Sequence, residues 1–202
     1  MPRSYSKARA RVSPLTRPSS NPDSPLEETV LIRKRRYNKL DILVNNASRQ
    51  TMLDDFSQID LNEVEGVFKS NIIQMIALTK YAIPAMGPGS SIINTTSTVA
   101  FWGSLSLVDY SATKGAIVSF TRSLAKQLVK KGIRVNAVAP GLVHTPLQPA
   151  SRPPEQMENL GEKTMLGRPI QPSEIAPSFV FLASRDSEVF YGQVLHAYPI
   201  GD

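Results

Sequence analysis

From Leu40 onward the chain alternates between short, largely apolar runs and longer stretches in which apolar side chains return every three or four positions. Leu40 to Val44 is one such run, ending in Asn45-Asn46; SIINTT (91–96), IRVNAVA (133–139) and QVLHA (193–197) are the others. Runs of this length, rich in β-branched residues, predict four buried strands. Between the first two, Val64, Val67, Phe68, Ile72, Met75, Ile76, Leu78, Thr79, Ala82 and Ile83 fall at helical spacing. They predict a helix over 61–84, opened by a capping-box-like Asp60 and Glu63 and closed by Pro84 and Gly87. A second amphipathic pattern predicts a helix over 110–131 with Gly132 as its C-cap. The stretch from Ser97 to Asp109 reads as loop, and 140–154 as proline-rich loop. A short helix follows near 155–161, and another over 172–183 with Pro177 as a kink. Strands alternating with helices predict an α/β fold, a doubly wound parallel sheet of about four strands with helices on both faces. No internal repeat is visible.

Ahead of Leu40 the pattern is lost. The first 25 residues carry five prolines, six serines, five basic side chains and one acid. Proline removes helix donors and the low hydrophobicity leaves little to bury, so the segment reads as a disordered tail. Its Arg- and Ser-rich, acid-poor composition also fits an organelle transit peptide, although the prolines oppose the amphipathic helix such a peptide needs. Residues 26–38 read as a helix stub with a basic last turn, Arg33 to Arg36 suiting a helix C-terminus better than a nucleic-acid patch. The chain divides into 1–38, a basic tail and stub, and 39–202, one domain.

This division decides what the charge means. The chain of 202 residues has 23 Lys and Arg against 17 Asp and Glu, a formal net charge of +6. Nine basic and three acidic residues lie in 1–38, and fourteen of each in 39–202, so the excess belongs to the first segment alone. A balanced domain without interleaved basic and aromatic residues speaks against a nucleic-acid partner. No apolar run reaches the length of about 18 residues that spans a membrane. The absence of cysteine removes disulfides, thiolate metal sites and thiol nucleophiles, and the two histidines, His144 and His196, leave no metal site to propose.

The chemistry concentrates where predicted strands end. Tyr110-Ser-Ala-Thr-Lys114 opens the second helix, and spacing of four puts Tyr110 and Lys114 on one face. Ser97 follows the second strand, and Asn71 interrupts the apolar face of the first helix. A free phenol has a pKa of about 10, and a neighbouring ammonium would lower it. Tyr110 beside Lys114 can therefore act as general acid or base on a carbonyl or carbinol. Ser97 can donate a hydrogen bond to the same substrate oxygen, and Asn71 can hold a water in a proton relay toward the lysine.

These residues, together with Asn45-Asn46-Ala47-Ser48 and Pro140-Gly141-Leu-Val143-His-Thr145-Pro146, resemble the short-chain dehydrogenase/reductases from about Leu40 to Ala197. SIINTTS, DYSATKGAIVSFTRSLA, GIRVNAVAPG and FLAS…GQVLH are similar to the glucose/ribitol dehydrogenase-like or aldehyde reductase-like subgroup. The resemblance implies a partial Rossmann-like sheet and NAD(P)-dependent hydride transfer between a small-molecule carbonyl and an alcohol. It implies Tyr110 as acid/base, Lys114 on the nicotinamide ribose, Ser97 on the substrate oxygen and Asn71 in the relay. Pro140, Gly141, Val143 and Thr145 would face the nicotinamide end, and Asn46 and Ala47 the adenosine side. It further implies a cytoplasmic homo-oligomer joined through helices 61–84 and 110–131.

The chain also departs from this family. The family's glycine-rich turn holds the cofactor diphosphate with close backbone approach. No glycine precedes Gly66 here. Gly87-Pro-Gly89 precedes a strand instead of following one, and Ser48 replaces the last glycine of NNAG. The expectation is a chain that alone binds dinucleotide poorly. Two explanations fit: a shortened form of an ordinary enzyme, or a non-catalytic interaction protein that associates with full-length relatives.

Overall fold

Residues 38–199 are described in a computed structural model; the expectations for the tail and most of the helix stub lie outside them. Strands β1 (Ile42–Asn45), β2 (Ser91–Thr95), β3 (Arg134–Pro140) and β4 (Val194–Ala197) form one sheet in the order β1-β2-β3-β4, every pair parallel. Alternation of side chains gives the sheet two apolar faces. On one, Leu43, Ile92 and Val135 pack with Ala82, Ala125 and Leu128 of the two long helices. On the other, Ile93 and Val138 pack with Ile175 and Leu182. Helices therefore cover both faces, as the alternating pattern predicts. The strand order keeps advancing in one direction while the last covering helix changes face. The β3-to-β4 crossover consequently has the opposite hand to the first two, a departure from the usual uniform handedness.

The first long helix has three parts: α1 (Leu61–Phe68), a π-helical turn (Lys69–Ile73) and α2 (Gln74–Ala82), followed by a 3₁₀ turn at Ile83–Ala85. Asp60 caps it by accepting from the Asn62 N–H at 2.9 Å. Glu63 does not complete the expected capping box; it pairs with Arg49 across the loop after β1, a charge partner outside the helix. Helix α4 (Val108–Leu128) runs on through a 3₁₀ turn to Gly132, whose φ of +67° makes the left-handed cap. A side chain there would stand 3.1 Å from the Pro88 backbone.

Two short helices break stretches read as loop, α3 (Val99–Trp102) and α5 (Leu147–Ser151), and the short helix expected near 155–161 is α6 (Pro154–Glu158), slightly earlier than expected. Helix α7 (Pro172–Ala183) has the expected bounds and contains Pro177. Its C-terminal end is held by Arg134, 4% exposed at the start of β3. The guanidinium donates to Leu182 O at 2.6 Å, Ser187 Oγ at 2.7 Å and Ser184 O at 3.0 Å. A cation on the free carbonyls of a helix end satisfies them and meets the negative end of the dipole.

A polar seam crosses the core between the sheet and the long helices. Asn45 Nδ2 donates to Thr79 Oγ1 at 3.1 Å and to Asn94 Oδ1 at 2.8 Å. Asn94 Nδ2 donates to Thr121 Oγ1 at 2.9 Å, and Thr121 Oγ1 to Ile117 O at 2.8 Å. Directional bonds of this kind fix the helices' register on β1 and β2, which apolar packing alone leaves looser. No helix among the described residues is long and apolar enough to cross a membrane.

Candidate active site

The carboxyl ends of β1, β2 and β3 open into a cleft of about 1050 Å³, where open α/β sheets place their ligands. Its wall includes Asn46, Ala47, Ser48, Ser97, Tyr110, Lys114, Pro140, Gly141, Val143 and Thr145. Every candidate catalytic or cofactor-binding residue named from the sequence except Asn71 therefore lines one cavity. Between Val143 and Ile170 the chain makes an excursion that includes α5 and α6 and brings Leu147, Gln148 and Arg152 to the cleft wall. A parallel bridge of Val143 and Ile170 closes its base, with His144 N–H donating to Ile170 O and Ile170 N–H to Leu142 O, both at 2.8 Å. Gln50 Nε2 donates to Ser151 Oγ at 2.7 Å and ties the β1 loop to this excursion.

Tyr110 and Lys114 start α4 one turn apart, and Lys114 Nζ lies 5.2 Å from the centre of the Tyr110 ring. Lys114 is 2% exposed, and its Nζ donates to Thr95 O at 3.0 Å. Burial without a carboxylate pulls its pKa down to about 7. The Tyr110 hydroxyl faces the side chains of Ser48 and Ser97. The two serine hydroxyls pull its pKa down, yet burial outweighs them and the net shift is upward. A phenol lowered by its ammonium neighbour, as the pair's spacing suggests, is thus not what this chain has by itself. Desolvation acts on both groups, and a lysine near pH 7 has lost part of the charge that would stabilise a phenolate.

Ser48 is the residue whose part was missed. Read from sequence, it is a small change in an asparagine–alanine motif; folded, its hydroxyl shares the tyrosine with Ser97. Asn71 sits in the π-turn, behind the wall, 2% exposed. Its Oδ1 accepts from the Arg49 N–H at 2.8 Å, and its Nδ2 donates to Arg49 O at 2.9 Å and to Thr113 Oγ1 at 3.1 Å. Asn71 thereby fastens the β1 loop, with Ser48 next to Arg49, onto helix α4. A smaller cavity of about 60 Å³ lies beside it, lined by Asn46, Ser70, Asn71 and Thr95 among others.

Residues 22–197 match a family model described as enoyl-(acyl carrier protein) reductase. The fold is similar to a crystal structure from Brucella melitensis titled short-chain dehydrogenase/reductase, glucose/ribitol dehydrogenase. That likeness has a TM-score of 0.79 and 32% identity, and covers 88% of this chain and 71% of the other. The chain belongs to the short-chain dehydrogenase/reductase family. Curated members of this family match at higher identity. An uncharacterised oxidoreductase of Bacillus subtilis is 50% identical over 170 residues, which cover 84% of this chain and 59% of that protein. A protein of Arabidopsis thaliana named NADPH-dependent aldehyde reductase 1, chloroplastic, is 52% identical over 161 residues, 79% of this chain and 56% of its own length. The chain thus spans a little over half the length of these curated relatives. The family match reaches back to residue 22, into the segment that precedes the first strand.

Proposed function

We propose that this chain carries an active site for hydride transfer between a nicotinamide cofactor and a small carbonyl compound or alcohol. The observation that carries the reading is the Tyr110 hydroxyl, shared by two serine hydroxyls and backed by a buried lysine, at the mouth of a cleft on parallel strand ends. The cleft fits the nicotinamide–ribose end of such a cofactor. Lys114 Nζ has donors beyond the one spent on Thr95 O, and Pro140, Gly141, Val143 and Thr145 line the adjoining wall. Asn46 and Ala47 continue it toward the adenosine side. When bound, the cofactor, NADP or NAD, supplies or takes the hydride. The glycine-rich diphosphate turn is not among the residues ahead of Gly66, so affinity for the whole dinucleotide is weak in this reading.

In reduction, Tyr110 gives its proton to the substrate oxygen while Ser97 donates a hydrogen bond to that oxygen. A phenol whose pKa burial raises is well held in its protonated, donating form. Lys114, near pH 7, passes a proton onward without a large energetic step. Asn71 serves the relay from the 60 Å³ cavity at its side, which has room for bridging water. Leu61, Ile73 and Ile76 stand exposed along the first long helix, which supports homo-oligomer contact through helices 61–84 and 110–131. The reading places the protein in the cytoplasm, with an organelle as the alternative that its Arg- and Ser-rich start supports.

The test is turnover of the full chain with NADPH or NADH at high concentration over a panel of aldehydes, sugars and polyols, against Tyr110→Phe. Loss of at least about a hundredfold in the variant is expected for a general acid. Turnover that survives the exchange would refute the role of Tyr110. A chain inert in both forms favours the non-catalytic alternative, an interaction protein paired with full-length relatives.

A further inference from the structure

Among the described residues, the cleft wall contains two cationic side chains, Lys114 and Arg152, and no aspartate or glutamate. Lys114 belongs to the tyrosine pair. Arg152 has no role in the reaction as described, and it is not on the surface by accident. It ends helix α5, where its N–H donates to Gln148 O at 2.9 Å. Its Nε donates to Gln148 Oε1 at 2.9 Å. Gln148 is itself 7% exposed, and its Nε2 donates to Val143 O at 3.2 Å. The guanidinium is therefore aimed by a buried amide that is in turn fixed to the chain just beyond β3, at Val143. One terminal nitrogen reaches Gln156 Oε1 at a long 3.5 Å, and no ion pair among the described residues includes Arg152. Burial lowers its pKa with no acidic group to offset it, yet a guanidinium stays charged at any pH the fold survives.

A partly desolvated, oriented and unpaired arginine is an incomplete interaction. Its planar fork matches the two oxygens of a carboxylate or phosphate. We propose that Arg152 is an anion-recognition residue of the cleft, taking a carboxylate or phosphate group carried by the ligand. The proposal deepens the oxidoreductase reading, since it takes the cleft as the ligand site. Two sources share this chemistry: an acidic group on the carbonyl substrate, and a phosphate of the cofactor.

The experiment is binding, measured by calorimetry at low ionic strength on the full chain and on Arg152→Gln. The probes are succinic semialdehyde, its neutral analogue butanal, inorganic pyrophosphate and NADPH. The native chain is expected to bind at least one anionic probe, and Arg152→Gln to weaken it about tenfold or more, as loss of a charge-assisted pair does. Butanal should be unaffected, and Arg152→Lys should restore part of the loss. Weakening confined to succinic semialdehyde assigns the group to the substrate; weakening confined to pyrophosphate and NADPH assigns it to the cofactor. Added salt should weaken the anionic probe and not butanal in the native chain, a readout that does not depend on a variant folding. Equal affinities of the native chain and Arg152→Gln for every anion, or no anion binding by the native chain, would overturn the proposal. None of these readouts needs turnover, so failure of the hydride-transfer reading and failure of the arginine's role are separable.

Discussion

Lys114→Met tests whether the active site is held at the expense of the fold. Lys114 is 2% exposed, faces no carboxylate, and its Nζ donates to Thr95 O. Its pKa falls from the ordinary 10.5 to about 7. The unfolded chain keeps this proton up to about pH 10.5, whereas the folded chain releases it near 7. Between those values the unfolded state binds more protons, so the contribution of this group to stability rises with pH and is complete only above the upper value. Integrating the proton difference from pH 7 to 9 gives about 2 kcal/mol of added stability for the native chain. At pH 7 the same linkage leaves a cost of about 4 kcal/mol, offset by about 1 kcal/mol for the bond to Thr95 O. Lys114→Met should therefore be more stable than the native chain by about 3 kcal/mol at pH 7, and the advantage should shrink by about 2 kcal/mol at pH 9. Urea unfolding followed by circular dichroism at both pH values measures this, with an unchanged slope against denaturant. A variant less stable than native at pH 7, or a difference that ignores pH, would refute the reasoning. Such a gain in stability with loss of activity is what a buried functional charge predicts.

Two further substitutions follow from the geometry. Arg134→Met removes short bonds to Leu182 O and Ser184 O at the end of α7, a third to Ser187 Oγ in the turn after it, and a favourable charge on the helix dipole, and should cost about 3 kcal/mol; in a domain of this size that lowers Tm by roughly 6 to 12 °C, and a fall of under about 2 °C would contradict the capping role. Ser48→Ala removes one of the two hydroxyls that pull the Tyr110 pKa down. It should lower kcat/KM for alcohol oxidation by about three- to tenfold and move the alkaline-rising limb of its pH profile upward; an unmoved limb would mean that Ser48 does not act on Tyr110.

What the chain's pattern made legible was local. The pair Tyr110 and Lys114 needs only a helix and a spacing of four, and the strand ends that carry Asn46, Ser97 and Gly141 follow from short apolar runs. The parallel order needs only the alternation of strands with helices. The π-turn at Lys69–Ile73 stayed hidden because apolar spacing on either side of it is helical, and one extra residue in a turn shifts the phase too little to see. Helices α3 and α5 have four and five residues, too few to show a period. The hand of Arg134 on α7 and of Ser48 on Tyr110 is made across the fold, between residues whose types announce nothing. Glu63 shows the opposite error: a correct local motif was overridden by Arg49, a partner that only the folded chain supplies.

Hydride transfer itself is the most direct measurement. The full chain, NADPH carrying deuterium at the reactive position of the nicotinamide, and an aldehyde substrate are incubated, and the alcohol is analysed by mass spectrometry. Label accumulates over time, so weak cofactor affinity slows the result without hiding it. Deuterium should appear on the carbinol carbon, from one face of the nicotinamide only, and should vanish with Tyr110→Phe. An alcohol free of label under saturating cofactor, or label that persists without the Tyr110 hydroxyl, would contradict a hydride-transfer site built on Tyr110, Lys114 and Ser97.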